Sequence, residues 1–146
     1  MSSPMSNSSN QLTHEIRIRA EQPVVLEALT TIDGLQGWHT ASVTGSTAVG
    51  ADIEMAMPNS VRFVWRVLQS DNDGVQWQCL SGPGTSPGTS VRYELSLTDD
   101  GRTLVRMVHE GWSGDSENFD KCNTLWGALL FHLKSYCETG SAKPAI

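Results

Sequence analysis

The chain has 146 residues, 38% apolar and 18% charged. That is enough to bury roughly 70% of its unfolded surface in a core that needs no disulfides. A net charge of −6, with only ten basic residues spread along the chain, argues against nucleic acid or an anionic membrane as partner, because both require a basic footprint. No stretch approaches the ~20 consecutive apolar residues of a membrane span.

In chain order, residues 1–11, MSSPMSNSSNQ, lack the charged and apolar regions of a signal peptide and are too polar to pack. They read as a disordered leader. LTHEIRIRA (12–20) alternates, with Leu12, His14, Ile16 and Ile18 on one face, and predicts a half-buried strand. In QPVVLEALTTIDGLQGWH the period changes; Pro23 can open a helix and Gly34 and Gly37 interrupt it, which predicts two short helices ending near Trp38.

Residues 40–112 carry the punctuation of an antiparallel sheet. TASVTGS, ADIEMAM, SVRFVWRVLQS, VQWQCLS, VRYELSL and RTLVRMVHEGW alternate, and Asp-Gly turns (DNDG, TDDG) separate two of the pairs. By parity one face collects Ile53, Met55, Met57, Phe63, Trp65, Val67, Val75, Trp77, Cys79, Val91, Tyr93, Leu95, Leu97, Val105, Met107 and His109. The other collects Asp52, Glu54, Arg62, Arg66, Arg92, Glu94, Arg106 and Glu110, read as cross-strand partners on a wet face. In 115–140, Phe119, Cys122, Trp126, Leu129, Leu130, Leu133 and Cys137 recur at steps of three and four. That predicts an amphipathic helix of five or six turns, N-capped by Asp115 or Ser116 and stopped at Gly140. Only the sheet offers it a large enough apolar partner.

The chemistry-bearing residues form no catalytic motif. His109 points inward and Glu110 outward, so they cannot act on one substrate unless a bulge at Gly111 re-aims them. His109 is the one weak catalytic candidate, and His14 shares its face. His39 and His132 are expected to face solvent. His14, His109 and Cys79 lie on different strands without ligand spacing, so no metal is expected, and no cofactor either. Cys122 and Cys137 are about 22 Å apart along one helix and cannot bridge each other. With Cys79 they fit free thiols in a reducing cytoplasm. GPGTSPG lacks the lysine of a phosphate loop and is a turn.

Together PVVLEALTTIDGLQGW, FVWRVLQSDNDGVQWQCLSGPGT, TSVRYELSLTDDGRTLVRMVHEGW and NTLWGALLFHLKSYCETGSAKP resemble, in order, the SRPBCC (START-like) superfamily. They are most similar to its branch resembling the activator of the heat-shock protein 90 ATPase. The resemblance covers residues 12–144, read as a single domain. It departs from the pattern at Trp38–His39, where paired tryptophans are usual, and at Thr124–Leu125, which replace a glycine. It implies an α+β helix-grip fold: a curved antiparallel sheet wrapped around a long C-terminal helix, with two short helices after the first strand.

It also implies that a small, largely apolar ligand is held between sheet and helix. Its walls would come from Trp38, Met55, Phe63, Trp65, Trp77, Tyr93, Met107, His109, Trp112, Trp126 and Leu130, with His14 as a second polar contact. Two alternatives come with it. One is a polyketide cyclase- or dehydratase-like enzyme in which His109 moves a proton; the other is a co-chaperone-like interaction module. A homodimer and a chaperone are the protein partners the family brings to mind.

Overall fold

Alternation becomes strand at every place the sequence suggested it. The structure, a computed structural model, describes residues 11–84, 86–111 and 117–146, without the side chains of residues 59 and 117–123. Residues 1–10 of the expected leader, Trp112 and the expected helix cap at Asp115 or Ser116 lie outside the described residues. So do the side chains of Phe119 and Cys122.

Strand β1 (Leu12–Ile18) leads to helices α1 (Gln22–Thr30) and α2 (Ile32–Trp38). The strands β2 (Ser42–Gly45), β3 (Asp52–Ala56), β4 (Arg62–Asp71), β5 (Gly74–Ser81), β6 (Ser90–Leu97) and β7 (Thr103–Glu110) follow, then helix α3 (Glu117–Thr139). A single 3-10 turn, Pro58–Ser60, joins β3 to β4. The seven strands form one antiparallel sheet in the order β1-β7-β6-β5-β4-β3-β2. The chain's first strand therefore pairs with its last, and α1 and α2 fill the excursion between the two sheet edges.

Pro23 sits in the first turn of α1, where its missing N–H costs nothing. Thr31 ends α1 and caps α2, its hydroxyl accepting from the Gly34 amide at 2.9 Å. The inner face of the sheet packs against Trp126, Leu129, Leu130 and Leu133 of α3, all at most 5% exposed. Burying each such side chain contributes about 2 kcal/mol, so packing rather than intrinsic propensity holds this helix.

Two register shifts in the β4–β5 pair bend the sheet around α3. They leave Leu68 and Leu80 as the extra, unopposed residues. Both are exposed, which explains two large apolar side chains facing water. Leu97 departs from the parity expectation: it is 72% exposed, because it ends β6 beside the Thr98–Arg102 turn, outside the layer of buried residues.

The wet face is laced as expected. Arg66 reaches Asp52 at 2.9 Å and Arg62 reaches Glu54 at 3.1 Å. Arg92 bridges Glu94 at 2.8 Å and Glu110 at 2.5 Å. These exposed pairs are worth a few tenths of a kcal/mol each, roughly.

Candidate functional site

β7 carries His109 inward and Glu110 outward, in unbroken register with both neighbours. Gly111, at φ +92°, turns the chain only after the strand has ended, so no bulge re-aims either residue. Glu110 is ion-paired with Arg92 on the far face, and the two adjacent residues never meet at one site.

His109 is fully engaged. Its Nδ1 accepts a 3.0 Å hydrogen bond from Trp126 Nε1. An indole nitrogen can only donate, so the ring proton resides on Nε2. That proton goes to Thr89 Oγ1 at 2.9 Å, and the Thr89 hydroxyl donates to the Ser86 carbonyl at 2.7 Å. Burial pushes the His109 pKa down to about 3, so the ring is neutral at physiological pH. The chain Trp126–His109–Thr89–Ser86 fastens α3 to β7 and to the loop between β5 and β6.

Five rings close a circuit in the same layer. Centroid separations are 6.2 Å for Trp65–Trp77, 5.3 Å for Trp77–Tyr93 and 5.9 Å for Tyr93–Trp126. Trp126–His109 at 5.9 Å and His109–Trp65 at 6.0 Å complete it. Most contacts are edge-to-face, the arrangement that sets a positive ring edge against a negative ring face. Phe63 stacks on Trp65 at 5.6 Å and extends the aromatic surface outward.

At one end of this layer lies a cavity of about 30 Å³, lined by His39, Met57, Phe63, Trp65, His109, Leu125, Trp126 and Leu129. Among the described residues its exposed lining is apolar throughout. Met57, Phe63 and Leu125 are half-buried and form the rim; the other five are buried and form the floor. A space this size admits a water or a methyl-sized group, against the several hundred Å³ of a drug-sized site.

Of the expected wall residues, Phe63, Trp65, His109 and Trp126 line this cavity. Trp38, Met55, Trp77, Tyr93, Met107 and Leu130 are buried and do not line it; they fill the core behind it. Trp112 lies outside the described residues. His14 is half-buried on β1 opposite Met107 and does not reach the lining.

The second histidine of the cavity is His39, which reverses the expectation that it faces solvent. It caps α2 at 3% exposure, with Nδ1 2.7 Å from the Thr40 hydroxyl. Burial lowers its pKa to about 3 despite an opposing backbone hydrogen bond. The one available signal was the resemblance itself, since His39 stands where the second of two tryptophans is usual. Met57 continues the inner parity of β3, and Leu125 and Leu129 belong to the helix stripe.

A curved seven-stranded antiparallel sheet closed by a long C-terminal helix, with an aromatic layer between them, defines the helix-grip fold of the SRPBCC (START-like) superfamily. No protein-family model and no curated sequence matches the chain. Among solved structures, the Aha1 dimer from Colwellia psychrerythraea is 30% identical. That match covers 89% of this chain and 97% of that one, at a TM-score of 0.79. This chain belongs to the same Aha1-like family.

CalU16 from Micromonospora echinospora shares the fold at 18% identity and a TM-score of 0.74, over 91% of this chain and 76% of that one. DynU16, a protein of the dynemicin biosynthetic locus, does so at 18% identity and a TM-score of 0.77. The match takes in 91% of this chain but only 49% of DynU16.

Proposed function

We propose that the protein is a non-catalytic binding domain, spanning 12–144, that receives a small apolar or aromatic group in the notch between β4, β7 and α3. The observation that carries this reading is the lining: apolar surface among the described residues, built from aromatic and aliphatic side chains with a flexible Met57 at the rim. A cyclase or dehydratase using the same notch has less support. Both ring nitrogens of His109 are already hydrogen-bonded, and a proton-transfer role needs one of them within reach of substrate.

A second reading draws on a separate observation. The Colwellia protein is a dimer, and Phe131 on the outer face of α3 is 63% exposed, an apolar contact suited to a second copy or to a chaperone surface. No helix among the described residues is long and apolar enough to cross a membrane, and a cytoplasmic setting is part of the proposal.

A native mass spectrum of gently purified protein, followed by a denaturing one, tests both readings. A mass excess lost on denaturation is the expected result and identifies the captured molecule. The bare chain mass in both spectra, unchanged by incubation with cell extract, counts against the container. A doubled mass in the native spectrum supports self-association.

A further inference from the structure

Phe131 stands 63% exposed on the outer face of α3. At steps of three and four the same face carries Thr124, Gly127, Ala128 and Ser135, opposite the buried Trp126, Leu129, Leu130 and Leu133. Gly127 lies about one helical turn before Phe131, and a β-carbon added to it would meet nothing within 4 Å. A large ring and an open notch therefore sit one turn apart on a single stripe. The ring is steadied from below, edge-to-face on His132 at 6.1 Å.

Charge narrows the choice of occupant. The chain carries −6, so two copies repel wherever acidic surfaces meet. Among the described residues the α3 stripe brings no unpaired charge into contact. Lys134 Nζ donates to Glu138 at 2.6 Å and to the Arg17 carbonyl at 2.9 Å, and Glu138 also accepts from the Arg19 amide at 2.7 Å. Both charged groups are thus engaged at the end of β1. Leu97, at 72% exposure, stands instead among Arg17, Asp99, Asp100 and Arg102. The α3 pattern is also self-complementary, because a two-fold axis between ring and notch places each ring on the other copy's notch. A different partner would have to supply both a ring and a notch of its own.

We propose that two copies associate through the outer face of α3, the helices crossing antiparallel about a two-fold axis with each Phe131 seated on the other copy's Gly127. This rests on the self-association reading above and names its surface. A single helix crossing is smaller than the roughly 1,200 Å² of a stable interface, so the dissociation constant is on the order of 100 μM.

Sedimentation equilibrium from about 10 μM to about 1 mM, with amide NMR spectra over the same range, tests the assignment. The mass is expected to rise toward twice that of the chain, and the dilution-sensitive amides to fall within residues 124–135. Phe131→Asp and Gly127→Gln alter exposed positions, and each should weaken association by more than about tenfold. A dimer that persists in both variants, or dilution shifts confined to another surface, would overturn the α3 assignment while leaving self-association standing. A monomer at about 1 mM would overturn both. Amides of α3 that move only when purified heat-shock protein 90 is added would give this face to a chaperone and overturn the second copy as its occupant.

Discussion

A buried histidine that accepts from a tryptophan cannot be protonated without losing that bond, and this makes His109 a pH-sensitive structural element. His39 behaves alike, since burial dominates its shift. In the unfolded chain both rings take up a proton near the ordinary value of 6.5; in the folded protein they do so only near 3. The unfolded state therefore binds more protons throughout that interval. The stabilisation is complete above about pH 6.5 and is lost as the pH falls toward 3. At pH 5 each ring should have cost roughly 2 kcal/mol, and urea midpoints measured from pH 7 to pH 5 should fall steeply. A flat profile would show that neither ring is held neutral by the fold. The inward direction of His109 was legible from parity alone, but its hydrogen bond to Trp126, seventeen residues away, was not. His39 was misread because it follows a helix end, where no period says which way a side chain points.

At the scale of the elements, strands were readable because alternation and Asp-Gly turns are local signals. The bulges were not, since Leu68 and Leu80 look in sequence like any other apolar strand residue. Sheet edges were equally silent, and here each has one carbonyl capped by a side chain. Lys134 Nζ donates to the Arg17 carbonyl at 2.9 Å beside β1, and Gln36 Nε2 donates to the Val43 carbonyl of β2 at 3.0 Å. Such capping discourages edge-to-edge pairing. The α1–α2 corner is set by a contact that admits no side chain at all. A β-carbon on Gly34 would lie 2.8 Å from the Cα and carbonyl oxygen of Ala28 and from the Thr31 hydroxyl. Two of those atoms are backbone and cannot swing away. Gly34→Ala should therefore cost about 2–3 kcal/mol, read as a lower urea midpoint at unchanged slope. Gly127→Ala is the control, because nothing lies within 4 Å of its added carbon; it should be neutral or slightly stabilising.

Across the whole molecule, the segment that follows α3 is tied to residues 37–41, and its sequence carries no pattern. After α3 the chain returns along residues 37–41. Lys143 N donates to the Gly37 carbonyl at 2.8 Å, Ala145 N to that of Trp38 at 3.0 Å, and Ile146 N to that of His39 at 3.1 Å. Ala41 N donates back to the Ile146 carbonyl at 3.3 Å. Ala145 and Ile146 also pack against the core. His132 Nδ1 lies 2.6 Å from the Lys143 carbonyl and anchors the strap to α3. GSAKPAI could not announce this, because backbone groups make nearly all of its bonds. The strap backs the residues that carry Trp38 and His39, so it braces one wall of the cavity from outside. Four backbone hydrogen bonds and the half-buried Ile146 side chain hold the segment against the entropy of ordering its residues, and the net stabilisation is about 1 kcal/mol. Removing residues 143–146 should lower the melting temperature by about 2–4 °C and speed amide exchange at Ala41, whose N–H then loses its acceptor. It should also weaken ligand capture at His39 more than at Trp65, since only the first stands on the strapped segment. An unchanged melting temperature together with unchanged exchange at Ala41 would mean that the strap merely rests on a wall that α2 and β2 already hold.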